Sequence, residues 1–251
     1  MAINEVFSNP IVKQVIFQIT FPNLFFLEDK IGDFQLSIMN QFPNSELINR
    51  TEFFYADVGP EIDENRVEKN IKKRTGAKIW KFTNADNVIV NVTTNSLDIS
   101  STSHKTYNNE GSDYKFRDTI TFVVEAFLAI TKIPIILRMG LRYTDEISID
   151  EVNKDIYLSY LNTAFNTDKF DPQNAKNIQY AITTTIEDIG LNYKEILNSK
   201  EKKILLDFDG FLVNIPAVDF IQRADQIHTL LSNEFERTIK EPVYEIMRKP
   251  L

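Results

Sequence analysis

The stretch Ile133-Pro134-Ile135-Ile136-Leu137-Arg138-Met139-Gly140-Leu141-Arg142-Tyr143 decides how the rest of the chain is read. Ile133, Ile135, Leu137, Met139, Leu141 and Tyr143 share one face of an extended chain, and Ile136, Arg138, Gly140 and Arg142 share the other. A period of two kept up over this length is a strand with a buried face. The strand follows the strongest helical pattern in the sequence, which starts near Ser112 or Asp113. In that pattern Phe116, Ile120, Val123, Phe127 and Ile130 recur at three- and four-residue spacing, Val124 and Leu128 widen the stripe, and Pro134 stops it.

Toward the N-terminus the same grammar repeats. Val15, Phe17, Ile19 and Phe21 alternate with Gln14, Gln18 and Thr20, a half-buried strand closed by Pro22. Residues 27–42 read as helix through Leu27, Ile31, Phe34, Ile38 and Phe42. Strands are expected at 47–56, 77–83 and around Val88, Val90, Val92, Leu97 and Ile99, with a polar helix or loop at 60–76 and a surface loop at 100–111. Toward the C-terminus come a helix at 153–165, strands at 177–187 and 203–213, and a long helix at 217–239 striped by Phe220, Ala224, Ile227, Leu231 and Phe235. Strands outnumber intervening helices, so the fold class is α+β with mixed, mainly antiparallel strands. The order predicts two sheet-plus-long-helix subdomains, 1–148 and 149–251, that share one core. Their boundary near 145–152 is soft enough that one continuous domain is the alternative.

Composition removes whole classes of chemistry. The 251 residues contain no Cys, which excludes disulfides, thiolate metal sites and Cys nucleophiles. Two histidines, His104 and His228, are too few for a multi-His metal centre, and seven glycines argue against glycine-rich phosphate loops; no cofactor is expected. A net charge of −8 gives no global pull toward nucleic acid or an anionic membrane. The start lacks a basic segment followed by an apolar one, and no apolar run is long enough to span a bilayer, so a cytoplasmic location is expected. Abundant Ile, Asn and Lys carry the compositional mark of an AT-rich bacterial genome.

Four features could carry function. Arg138 and Arg142 lie on one strand face about 13 Å apart with Gly140 between them. There a phosphate, a carboxylate or another backbone could come close, or each arginine could pair with Asp207 and Asp209 if strand 203–213 is the neighbour. The stretch Ile204 to Val213, with its Asp207-Phe208-Asp209-Gly210, resembles the first motif of the haloacid-dehalogenase-like phosphatases, whose first Asp attacks phosphorus. That family has Thr or Val where Phe211 stands, and it places its other catalytic residues far downstream, whereas only 210–251 follow here. The phosphatase reading is therefore rejected, and Asp207 and Asp209 are read as the outer face of a strand. Lys69, Lys72, Lys73, Arg74 and Lys78, followed by Trp80, form the one basic cluster with an aromatic neighbour, a pattern able to contact a nucleic-acid strand. His228 reads as a hydrogen-bonded residue at the edge of the last apolar stripe, and His104 as an exposed loop residue.

Taken together, the opening Asn9-Pro10-Ile11-Val12 strand, the Arg138-Met-Gly-Leu-Arg-Tyr143 strand behind its aromatic-led helix, and the closing helix with His228 and Phe235 resemble a sporadically distributed, functionally uncharacterised bacterial protein family of about this length. Thr144-Asp145 stands where that family's pattern has an apolar residue and Asn. The resemblance implies no known activity; its patchy distribution is like that of genes on mobile or defence-linked islands.

Three functions follow as expectations. One is a non-enzymatic binding or regulatory subunit working through protein contacts or self-association, in a bacterial antiviral defence system. The next is a sensor or hydrolase of a phosphorylated small molecule or nucleotide, using Arg138, Arg142, Tyr143, Asp207, Asp209 and His228. The last is nucleic-acid contact through 66–82. No metal and no membrane partner is expected.

Overall fold

The structure is a computed structural model that describes residues 5–50 and 77–250. Nine strands make one sheet: β1 (Val12–Thr20), β2 (Asn44–Arg50), β3 (Ala77–Thr83), β4 (Ile89–Val92), β5 (Ser96–Ser101), β6 (Ile135–Ser148), β7 (Asn177–Ile186), β8 (Ile189–Asn198) and β9 (Lys203–Pro216). Their order is β2-β3-β4-β5-β1-β6-β9-β8-β7, and every neighbouring pair is antiparallel. Among the described residues five α-helices accompany them: α1 (Leu27–Ile38), α2 (Phe116–Thr131), α3 (Lys154–Tyr160), α4 (Phe220–Thr238) and α5 (Glu241–Arg248).

The α+β class holds, but the two subdomains and the mixed strands do not. The expected seam near 145–152 falls at the end of β6, and β6 pairs with β9 from Ile135↔Pro216 to Ser148↔Lys203. Both strands are 14 residues long, so their backbone groups find partners only if the two halves join as one sheet. Beyond the seam the backbone stays tied, with Ile149 N–H donating to the Lys202 carbonyl.

One face of the sheet is dry. Val15, Phe17 and Ile19 of β1, Leu97 and Ile99 of β5, Met139 and Leu141 of β6 and Ile204, Leu206 and Phe208 of β9 are all buried. Helix α4 lies against β9 and β6, and α1 packs on α2. Phe34 of α1 sets its ring edge-on to Phe82 of β3 and Phe127 of α2, which joins the two layers. Gly210 of β9 fixes how closely α4 approaches. A Cβ there would stand 2.7 Å from Ile227 Cγ2 and 3.0 Å from Leu231 Cδ2.

Other departures are local. The helix expected over 153–165 stops at Tyr160, because Leu161 turns extended and bridges to Ile239. Strand β8 was not expected at all. The long C-terminal helix is preceded by a 3-10 turn, Ala217–Asp219. The polar stretch 60–76 and the end of the strand expected at 47–56 lie outside the described residues. No helix among the described residues is long and apolar enough to cross a membrane.

Candidate functional site

The six residues singled out as one ligand or partner site fall on opposite faces of the sheet. On the face away from α4, Arg142 holds Asp207 in a two-pronged pair, Nε to Oδ1 at 2.6 Å and Nη2 to Oδ2 at 2.8 Å. Arg138 Nη2 reaches Asp209 at 3.0 and 3.2 Å. It does so by lying over Gly140, so the group that uses the glycine's missing side chain is the arginine itself. The guanidinium also sits 4.8 Å from the centre of the Phe211 ring, and that ring in turn covers Gly190. Hydrogen bonds continue on both sides: Asp98 accepts from Gln18, Gln18 accepts from Arg138, Asn192 donates to Asp209, and Thr183 donates to Asn192. The result is a polar ladder across six adjacent strands, from β5 to β7. Each cation meets a fixed carboxylate, so the ladder ties strands together and offers no spare positive charge to an anion.

These pairs carry an expected result. Asp207 is nearly buried, and Arg142 is its main cation, with Lys194 Nζ at 4.0 Å. Arg142→Ala should lower unfolding stability by about 1–2 kcal/mol, because it leaves a shielded carboxylate without its two-pronged partner. Urea denaturation of Arg142→Ala alone and combined with Asp207→Asn measures this, and the second change should restore most of the loss.

In the basic cluster, Lys69, Lys72, Lys73 and Arg74 lie outside the described residues. Lys78 pairs with Glu28 of α1, Lys81 pairs with Glu46 of β2 at 2.7 Å, and half-buried Trp80 packs against the core. The described part of the cluster is therefore occupied with structural contacts.

Tyr143 and His228 point the other way, into a cavity of about 520 Å³ on the helical face. Its floor is the sheet (Tyr143 and Asp145 of β6, Phe208 of β9), and α4 supplies His228, Leu231 and Phe235. The segment His104–Glu110 closes one side. The opposite side is the N-terminal segment with Phe7 and Ile11, tied to Met247 of α5 by the Asn9 N–H to Met247 carbonyl bond of 2.9 Å.

Here both histidines of the chain meet. His104 is 7 % exposed, not a surface residue, and its ring stands edge-on to Tyr143 and Phe116 at 5.5 and 5.6 Å. The His228 ring stacks on Tyr107 at 4.0 Å with 16° between planes, and its Nδ1 lies 3.1 Å from the Tyr143 hydroxyl. Tyr107 is held in turn, donating to Asp225 at 3.0 Å, while Arg117 of α2 grips the same carboxylate at 2.8 and 2.9 Å. Burial pushes both tyrosines upward, so they keep their protons. The arrangement that gives the Tyr143 O–H an acceptor places the His228 proton on Nε2. Burial likewise pulls His104 down to about 3 and His228 to about 4, which makes both neutral at pH 7.

Asp145 is the outlier. It is 1 % exposed, and its Oδ1 has no hydrogen-bond partner. Burial, with the charge of Asp207 adding to it, raises its pKa to about 7. His104 Nδ1 is unpartnered as well. A buried carboxyl and a buried imidazole nitrogen, both left without partners in the wall of one cavity, is an uncommon combination for a packed core. Chemically the site can enclose a small, mostly flat molecule against aromatic rings, give hydrogen-bond acceptors to it, and exchange a proton through Asp145.

Sequence reading found Tyr143 and His228 but missed His104, Tyr107 and Asp145 as members of a site. For Asp145 the signal was present: it continues the odd-numbered apolar phase of Met139, Leu141 and Tyr143, where an acid is out of place. For His104 and Tyr107 nothing in a Ser-, Thr- and Asn-rich segment marks burial. Among the described residues no three acidic or His side chains gather to hold a metal. Compared with protein-family models and with curated proteins, the chain matches none.

Proposed function

We propose that this protein is a non-enzymatic, ligand-binding regulatory module whose small-molecule site is the cavity beneath α4. The observation that carries the reading is the convergence of His104, Tyr107, Tyr143, Asp145 and His228 on about 520 Å³ of space, with two buried polar atoms unpartnered. That volume lies in the range of small-molecule pockets, and the mixture of aromatic walls with a few placed polar groups is what such pockets use. A sensor of phosphorylated compounds acting through Arg138 and Arg142 is disfavoured, because Asp209 and Asp207 already occupy those arginines.

A second reading draws support from Asp145 itself. A carboxyl that titrates near neutrality suits general acid–base work, so a proton-transfer enzyme built on this cavity is the alternative. Chemical conversion of a bound compound by the wild type, abolished in Asp145→Asn, would favour it.

The two-histidine composition supplies a direct test, since both imidazoles line the cavity. In ¹H–¹³C spectra of histidine-labelled protein, fragments from a mixed library should shift both ring signals together and saturably. If library members bind elsewhere and none moves either ring, the cavity is a packing feature and the proposal is wrong.

A further inference from the structure

Resting on that ligand-binding reading, we infer that the cavity selects a small planar organic cation, an aromatic amidine or amine, whose N–H groups donate to Asp145. Charge comes first. Among the described residues the charged side chains around the cavity are Glu5, Lys105, Glu110 and Asp145, and Glu5 is already met by Arg248 at 3.0 Å. One lysine against two remaining carboxyls is a poor environment for a phosphate or a carboxylate and a good one for a cation. The arginine near the cavity adds nothing to this balance, because Arg117 is locked onto Asp225.

Hydrogen-bonding capacity comes next. Asp145 Oδ1 can only accept when ionised, and His104 Nδ1 stands unpartnered in the same wall. A ligand bearing two N–H donors fits that inventory, and an amidinium carries them in one plane. Shape and surface agree. Tyr107, Tyr143, Phe208, Phe235 and Phe7 present aromatic rings to the cavity, and ring faces attract organic cations as well as flat apolar bodies. An ionised buried carboxylate without a partner is costly, so a cation that meets it gains more there than at an exposed acid.

Three matched probes separate the possibilities: benzamidine (cation), benzamide (neutral) and benzoate (anion), each titrated into histidine-labelled protein at pH 8. Benzamidine should move both imidazole signals and bind at least about tenfold more tightly than benzamide, the increment of one desolvated cation contact. Benzoate should move neither. Asp145→Asn, an isosteric change whose fold is read from its own dispersed ring signals, should keep benzamide binding and erase the advantage of benzamidine. Benzoate binding as tightly as benzamidine, or a benzamidine preference that survives Asp145→Asn, overturns the cation assignment while leaving the ligand-binding reading standing. If none of the three probes moves either ring, the cation assignment falls, and the fragment-library titration decides the ligand-binding reading separately.

Discussion

Gly210→Val is expected to lower unfolding stability by about 3 kcal/mol and to disturb the cavity with it. The glycine sits in the middle of β9, opposite Leu141 on β6 and Leu191 on β8. Its missing side chain is what allows Ile227 and Leu231 of α4 to rest on the sheet, since a Cβ would stand 2.7 and 3.0 Å from their methyl groups. Both neighbours are buried, so neither has solvent to swing into. The strain must be met by lifting α4, and overpacking of this kind typically removes 1–3 kcal/mol, reaching the upper end where backbone has to move. Helix α4 carries His228 one residue after Ile227. The displacement should therefore open the 4.0 Å stack on Tyr107 and shift the His228 ring signal as that aromatic shielding is lost. Denaturant midpoints and the histidine spectrum read the two effects separately. A Gly210→Val protein as stable as wild type, with an unshifted His228, would mean that α4 is not seated as described.

The second large effect is a gain. Asp145→Asn should stabilise the protein at alkaline pH, with a benefit that fades as the solution is acidified. The wild-type carboxyl has its pKa raised in the fold to about 7 from 3.8, chiefly by burial and then by the charge of Asp207. Well below pH 3.8 both states are protonated and the group is neutral in its effect. As pH rises through the unfolded pKa, ionisation favours the unfolded chain, and the penalty grows until the folded carboxyl also ionises near pH 7. Asparagine never ionises, so its advantage over the wild type should increase by about 4 kcal/mol between pH 4 and pH 8.

The same substitution should also change the shape of the pH curve. Glu195, buried under the hydroxyls of Tyr157 and Tyr193, has a pKa likewise raised to about 7 by burial. His104 and His228 work in the opposite sense. Their folded pKa values are depressed to about 3 and about 4, so they destabilise the fold as pH falls below 6.5. Between about pH 5 and 6 the unfolded chain holds protons on two imidazoles and the folded one holds them on two carboxyls, so these four contributions cancel in the wild type. Removing one carboxyl exposes a slope of about 1.4 kcal/mol per pH unit, with stability rising as pH rises. Urea titrations at half-unit intervals would detect it. A curve for Asp145→Asn parallel to that of the wild type would show that Asp145 titrates normally and is not enclosed.

These two residues also mark how far the sequence could be read. Strand β6 and helix α2 were legible because their apolar positions keep a strict period over many residues, and burial of one face enforces such a period. The single sheet was not. Strand β8 escaped notice because the turns on either side of it carry Glu187 and Lys202 in the left-handed region, at φ 57° and 51°, where glycine or asparagine normally announces a hairpin. With β8 hidden, the connection from β7 to β9 looked like part of a separate unit, and the pairing of β6 with β9 entered only as a condition, the one under which Arg138 and Arg142 would meet Asp207 and Asp209. For the Arg138 and Arg142 strand, sequence named the two aspartates as candidate partners, but choosing them over a ligand needed the strand order, which alternation does not encode. The cavity was half legible. Tyr143 and His228 lie on periodic elements, whereas His104 and Tyr107 are buried only because an irregular segment folds back under α4 and is pinned there by Asp225 and Arg117.

The central claim is that the space bounded by His104, Tyr107, Tyr143, Asp145 and His228 is a ligand site. The most direct measurement adds the small-molecule fraction of the host cell's extract to histidine-labelled protein and follows its two imidazoles. The account predicts that both ring signals shift together and reach saturation on dilution series, and that excess benzamidine moves them on to their benzamidine-bound positions. An extract that leaves both rings unmoved at concentrations matching the cell would contradict it.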